Sequence, residues 1–357
     1  MQSKINIRQI CFMLISTSAI GKMIVAPAVT ARYSQESLWI SALIILIIDG
    51  LFALYFLYMN DKFGGKTFYS ILESSVGKVA AKTVYSLFTV YFLVRAFTPI
   101  MEQKNYIEIA LYETAPSVIT FLIFFLFSAY FCYKGFKGIA RCADVCIWVA
   151  AFGICILTAL SITLTDFSNL LPIVGVPAKN VLLGAKNTAV WYFDSAYILI
   201  LMGHFKSEKG YKTKIMVSYG IMALIVIIYF AILYGEFAAL TERQFFAPIQ
   251  MGKSDVALSS IGRIDYIPGF VYALVCTFGS AIPLVFSSYC LKEVIPFKHK
   301  IIPPLIVNAV MAAAIIIAHD YFIETFRFIS KKLVWGFAAV AYLLPLIMLF
   351  IKKRESV

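Results

Sequence analysis

The chain has 357 residues, of which 61% are apolar or aromatic and only 14% are Asp, Glu, Lys or Arg. Its mean hydropathy is +0.87. Soluble domains carry roughly a quarter charged residues, so this composition cannot cover a water-soluble protein of this size and excludes a soluble enzyme. The formal net charge of +12 leaves nucleic acid open as a partner until the positions of the charges are read.

A helix crosses a bilayer with about 20 apolar residues, and ten apolar runs of that order follow one another. They lie near 8–31, 38–59, 82–101, 116–133, 144–165, 181–203, 214–235, 265–290, 301–318 and 333–351. The expected fold is an all-α membrane protein, one transmembrane domain over residues 1–357. Lys4 and Arg8 precede the first run, and Ala26-Pro27-Ala28 resembles a cleavage site. The run is too long for a signal peptide and carries Lys22, so it reads as an uncleaved helix.

Loop charge sets the orientation. With the N-terminus in the cytoplasm, the inner segments hold 19 Lys and Arg and the outer ones nine. Lys22, Arg95 and Lys186 fall inside or at the edge of runs. The bias predicts both termini inside, and it turns the basic excess into a topological signal rather than a nucleic-acid one. Two loops are long, 60–81 and 236–264, and both should contain short helices. Phe68, Ile71, Leu72 and Val76 make an apolar face in the first; Phe237, Leu240, Phe245 and Phe246 begin the second. Dividing the chain after the fifth run puts each long loop between the second and third helix of its half. Five helices per half invert the second half, predicting a 5+5 inverted repeat over about 8–165 and 181–351. Such folds bind ligand between the halves through discontinuous helices.

Helices 1 and 6 should then be broken. The first reads Ser16-Thr17-Ser18-Ala19-Ile20-Gly21-Lys22, with Pro27 following. Small hydroxyl residues, a glycine and a cation suit an unwound segment lining a cavity. The sixth reads Trp191-Tyr192-Phe193-Asp194-Ser195-Ala196-Tyr197 and has neither Gly nor Pro there. A kinked, continuous helix with packing aromatics is its alternative reading. Charges inside a bilayer cost several kcal/mol unless paired or hydrated (roughly +2.5–3.5 at mid-helix), and four need partners. Lys22, Asp49 and Asp194 lie near the middle of their runs, with Arg95 nearer the outside.

Lys22 and Asp194 are expected to meet across the pseudo-symmetric centre, either as partners for a zwitterion or as a buried pair fixing helix register. Lysine charge there could also replace that of a sodium ion. The candidate ligand-binding residues are Ser18, Ala19, Gly21, Lys22, Tyr91, Trp191, Phe193, Asp194 and Ser195. Asp49, beside Gly50, reads as a helix-packing carboxylate or a proton relay. Arg95, one turn before Pro99, reads as an outer gate residue pairing with Glu102 or another external acid, or as a snorkelling side chain.

Catalysis finds no support. His204, His299 and His319 are far apart at loop edges, and no P-loop or metal motif is present. Seven scattered cysteines do not form a disulfide framework. Cys142 and Cys146 share one helix face but would supply only half a metal site. No enzyme activity, cofactor or metal is expected.

Several short motifs follow one another in order. They are Ile20-Gly21 with Pro27, Leu111-Tyr112-Glu113-Thr114-Ala115-Pro116, Gly135-Phe136-Lys137-Gly138-Ile139-Ala140-Arg141, Leu170-Leu171-Pro172-Ile173 and Arg263-Ile264-Asp265. Together they resemble the integral-membrane B subunits of bacterial spore nutrient-germinant receptors, distant relatives of the amino acid–polyamine–organocation transporters. The resemblance implies a ten-helix fold of the sodium-coupled amino-acid transporter type and germinant sensing in the spore inner membrane. It implies an A-type membrane subunit and a C-type lipoprotein as partners, besides membrane lipid. Three functions follow as expectations. The first is a receptor subunit binding an amino acid or similar small polar nutrient. The others are a proton- or sodium-coupled amino-acid transporter, and a structural subunit with a vestigial pocket.

Overall fold

The computed structural model describes residues 4–110, 117–253, 266–318 and 321–347. The motif residues 111–116 and 263–265 lie outside the described residues. Among those described the chain is helical, with a single isolated bridge between Ile5 and Phe205. Five helical stretches are long and apolar enough to cross a membrane: Ala26–Lys62, Lys78–Glu108, Phe136–Leu164, Tyr211–Arg243 and Gly269–Val294. Ile7–Gly21, Ile123–Lys134 and Ile302–Ile317 are shorter apolar helices. Large apolar side chains such as Leu51, Leu126, Val145 and Trp148 are exposed on these elements. That is what helices facing lipid require, since no aqueous phase penalises them there.

The remaining apolar runs are interrupted. The first divides into Ile7–Met13, a widened turn over Leu14–Ser18, Ala19–Gly21 and, after a gap, Ala26–Ser34. The sixth divides into Ala178–Thr188, a tight turn over Ala189–Trp191 and Ser195–Leu201. The tenth starts at the end of a widened turn, Ile329–Leu333, is helical over Val334–Ala338 and widens again over Ala339–Leu343.

The third helix is longer than its apolar run. It extends over Lys78–Ala110 with Pro99 inside it, where an end near residue 101 was expected. The Tyr266–Val294 helix packs along it and forms the centre of the bundle. Ala26–Ser34 packs against Ala178–Thr188, so the two interrupted helices meet. Small hydroxyl residues allow the close approach. Ser34 and Ser41 share a 2.6 Å hydrogen bond, and Ser41 Oγ donates to the Val181 carbonyl at 2.8 Å.

The first long loop contains the expected helix, Phe68–Val76. Thr67 caps it, its Oγ1 accepting from Ser70 N, and Phe68, Ile71 and Leu72 are buried. The second holds a tight turn, Ala238–Arg243, and a short helix, Ala247–Lys253. The segment after the sixth run closes against the first loop at Gly203. Its φ is +77°, and an added Cβ would lie 2.7 Å from Thr67 N and 2.8 Å from the Lys66 carbonyl carbon. Neither backbone can yield cheaply. Gly203→Ala is expected to lower the thermal midpoint of the purified protein by several degrees, equivalent to about 1–3 kcal/mol; an unchanged melting curve would refute that close approach.

Candidate functional site

The first interruption is built by its own residues. Ser16 and Thr17 hydroxyls donate back to the Phe12 and Met13 carbonyls, both at 2.7 Å, across the widened turn. Such back-bonding competes with the helical ladder and bends it. Helix ends at Gly21, and Lys22 caps it with φ −94° and ψ −4°. The chain re-enters helix at Ala26 with Pro27 in the first turn, where a missing N–H leaves no bond unmade.

The sixth run has no such local cause, and its break comes from another helix. Asp49, fully buried on the Leu38–Lys62 helix, accepts from Asp194 N at 3.2 Å and from Ser195 N at 3.2 Å. It also accepts from Ser195 Oγ at 2.5 Å, Tyr342 OH at 2.7 Å and Tyr219 OH at 2.9 Å. Helix N-termini leave N–H groups without intrahelical partners. Here a carboxylate 145 residues away in sequence satisfies them. The Tyr219 ring lies over Gly50, 3.1 Å from where a Cβ would stand. Asp49 thus holds the break by hydrogen bonding and close packing.

Asp194 projects from this break toward the first. Lys22 Nζ pairs with its Oδ2 and also donates to the Ser18 carbonyl at 2.9 Å. Arg95 Nη2 pairs with Oδ1 at 2.7 Å. Arg95 Nη1 donates to the Val190 carbonyl at 2.7 Å, and Nε to Tyr197 OH at 3.3 Å. Lys22, Asp194 and Arg95 are at most 8% exposed, so both cations are committed to one carboxylate. This corrects the sequence expectation for Arg95, which reaches the central cluster rather than pairing with Glu102. An apolar run ending near 101 made residue 95 look peripheral, whereas in a helix running from Lys78 to Ala110 it is central.

A cavity of about 70 Å³ borders the cluster. Of the candidates, Ser18, Gly21, Lys22, Arg95, Trp191 and Asp194 line it. Ala19, Asp49, Tyr91, Phe193 and Ser195 do not. Ala19 is buried among core side chains. Tyr91, one turn before Arg95, is edge-on to Phe88, Phe92 and Phe337. Phe193 packs on Tyr342, and Ser195 is turned to Asp49.

The structure adds lining residues that the sequence reading did not select: Thr17, Thr98, Glu102 and Tyr197, with Cys276–Pro283 of the Tyr266–Val294 helix contributing several more. Glu102 is 1% exposed. Its Oε1 accepts from Trp191 Nε1 at 2.8 Å, while Oε2 and Thr98 Oγ1 have no hydrogen-bond partner among the described residues. The signal for Glu102 is an acid three residues after an intrahelical proline, but by hydropathy the apolar run ends just before it.

Cys142 and Cys146 place their sulfurs 3.7 Å apart. Among the described residues no group of three or more His, Cys, Asp or Glu is arranged to hold a metal ion.

The fold resembles that of solved transporters. Two crystal structures of mutants of the Eremococcus coleocola manganese transporter superpose with a TM-score of 0.57 at 10% identity, covering 94% of this chain and 78% of theirs. In sequence, the chain is similar to spore germination protein YndE of Bacillus subtilis (strain 168), 22% identical over 221 residues, covering 62% of this chain and 61% of that protein. It is also similar to spore germination protein A2 of the same organism, 21% identical over 193 residues, or 53% of this chain and 52% of that one. The matches therefore span less than two thirds of either relative. The family described as spore germination protein matches residues 4–324, which is most of the chain. Apolar helices and a transporter-like frame make it an integral membrane protein. By that extended match, the chain belongs to the spore germination protein family.

Proposed function

We propose that this chain is the germinant-sensing membrane subunit of a nutrient receptor. Ten spans form two inverted halves, with both termini cytoplasmic, in the inner membrane of the spore. An amino acid or similar small polar nutrient enters the central cavity from outside, and A-type and C-type subunits read the resulting change. The role is one of binding and conformational change, without catalysis or cofactor. One observation carries this reading: two interrupted helices converge on a buried ion cluster beside a cavity with unpartnered polar atoms. Breaks at the interface of inverted repeats are where such folds bind their ligands.

The cavity is small, about 70 Å³, and ligand binding is expected to widen it. Glu102 Oε2 meets the ammonium group. The ligand carboxylate reaches Lys22 only by competing with Asp194, which loosens the link between the two breaks. Ligand binding thereby favours a different arrangement of the bundle.

A thermal-shift screen of amino acids, sugars and nucleosides on the purified chain tests this, because a ligand that binds only the folded state raises its midpoint. Glu102→Gln retains an acceptor for Trp191 but loses the charge. It is expected to weaken the stabilising ligand about tenfold, the difference between a charged and a neutral hydrogen bond. Stabilisation by no nutrient would favour the vestigial pocket.

The second reading, a proton- or sodium-coupled amino-acid transporter, is favoured by the likeness to solved transporters. Gradient-dependent uptake into proteoliposomes containing this chain alone would establish it over the receptor; binding without uptake would leave the receptor.

A further inference from the structure

A second cavity, of about 490 Å³, opens at the end of the bundle that carries the N-terminal segment, and it shares no lining residue with the central one. Five lysines line it, Lys4, Lys134, Lys137, Lys292 and Lys300, against a single carboxylate, Glu293. Among the described residues none of the five forms an ion pair. Lys134 rests over the rings of Tyr130 and Tyr133, at 5.3 and 5.7 Å. His204, on the wall, is pushed down to about 4 by burial and by Lys4, so near pH 7 the positive charge comes from lysine alone.

The walls are built from segments distant in sequence. Ile5 N donates to the His204 carbonyl at 2.8 Å and Lys206 N to the Ile5 carbonyl at 3.3 Å, which pins the segment bearing Lys4 to the rim. The floor is aromatic: Phe136 packs on His204 and Tyr289, with centroids 5.1 and 4.8 Å apart. The Phe136–Ser161 helix begins on this wall without a side-chain cap, adding the positive end of its dipole. An orientation bias explains lysines on one side of the membrane. It does not explain five of them converging on one cavity, where a single carboxylate, Glu293, offsets only part of their mutual repulsion.

We infer that this cavity binds a phosphate-bearing anion, either free in solution or as the headgroup of an anionic lipid. A phosphate monoester carries about −1.5 to −2 charges at neutral pH, so two such groups would offset five lysines and one glutamate, while a phosphodiester headgroup would offset part of that excess. Ligand pockets of about 300–1,000 Å³ are the usual size for small molecules. Basic pockets between membrane helices are known to take phospholipid headgroups.

The test uses the full chain, purified, with pyrophosphate as the soluble probe and sodium chloride at equal ionic strength as its control. Pyrophosphate is expected to raise the thermal midpoint saturably. The triple variant Lys134→Gln, Lys137→Gln, Lys300→Gln should bind it at least about tenfold more weakly, given the contribution of each lysine to anion attraction. A control triple, Lys78→Gln, Lys82→Gln, Lys209→Gln, should bind as wild type. Reconstitution into phosphatidylglycerol or phosphatidylcholine nanodiscs separates the sources. If lipid is the occupant, phosphatidylglycerol stabilises wild type but not the first triple variant, and it suppresses the pyrophosphate shift. If the anion is free, the pyrophosphate shift is equal in both lipids. A chloride effect equal to that of pyrophosphate, or equal responses from both triple variants, would overturn the inference.

Discussion

Asp194→Asn is expected to destabilise the purified protein more than loss of either of its cationic partners, because it strands two buried cations together. Lys22 and Arg95 both pair with Asp194, and all three are at most 8% exposed. Removing one partner of a buried pair costs about 3–5 kcal/mol, most of it the penalty of an uncompensated charge. Lys22→Met leaves Arg95 on Asp194 and should cost less. Combining Asp194→Asn with Lys22→Met removes one stranded cation and should recover part of the lost stability. Thermal unfolding of the three variants in one detergent checks the order. A midpoint for Asp194→Asn equal to or above that of Lys22→Met would sink the shared-carboxylate arrangement.

Loss of Asp49 should be comparably severe by a different route. Its two oxygens accept from the backbone N–H groups of Asp194 and Ser195 and from the hydroxyls of Ser195, Tyr219 and Tyr342. Asp49→Asn preserves the shape but turns one acceptor into a donor facing other donors. Each buried polar group left unsatisfied costs about 1–3 kcal/mol, so several together should abolish accumulation of folded protein in the membrane. Should that variant yield nothing to measure, Ser195→Ala and Tyr342→Phe each remove one bond. Each is expected to lower stability by about 1.5–3 kcal/mol, the range for bonds to a charged acceptor. Wild-type melting in both single variants would show that Asp49 does not hold the break.

These outcomes separate structure from ligand response. Asp49 acts by positioning, since it does not line the cavity, whereas Glu102 lines it and has an oxygen to offer. Variants at Asp49 should change stability with or without ligand. Glu102→Gln should change mainly the ligand-dependent part.

The sequence alone determined the helical membrane character, because apolar run length reports directly on the cost of exposing backbone to lipid. It determined the break in the first helix, where Ser16, Thr17, Gly21 and Pro27 act locally on the backbone. It also marked Lys22 and Asp194 as charges in need of partners, since a lone charge in such a run is costly. Tertiary structure decided the rest. The sixth helix has no glycine or proline at its break, which depends on Asp49 from another helix. The sequence does not bring Arg95 and Glu102 to the cavity, because hydropathy marks where polar residues resume, not where a helix ends. Once the third helix runs on past Pro99 to Ala110, both belong beside the cavity. Local propensity can be read in a window of a few residues, but a hydrogen bond between residues 145 positions apart exists only once the bundle has assembled.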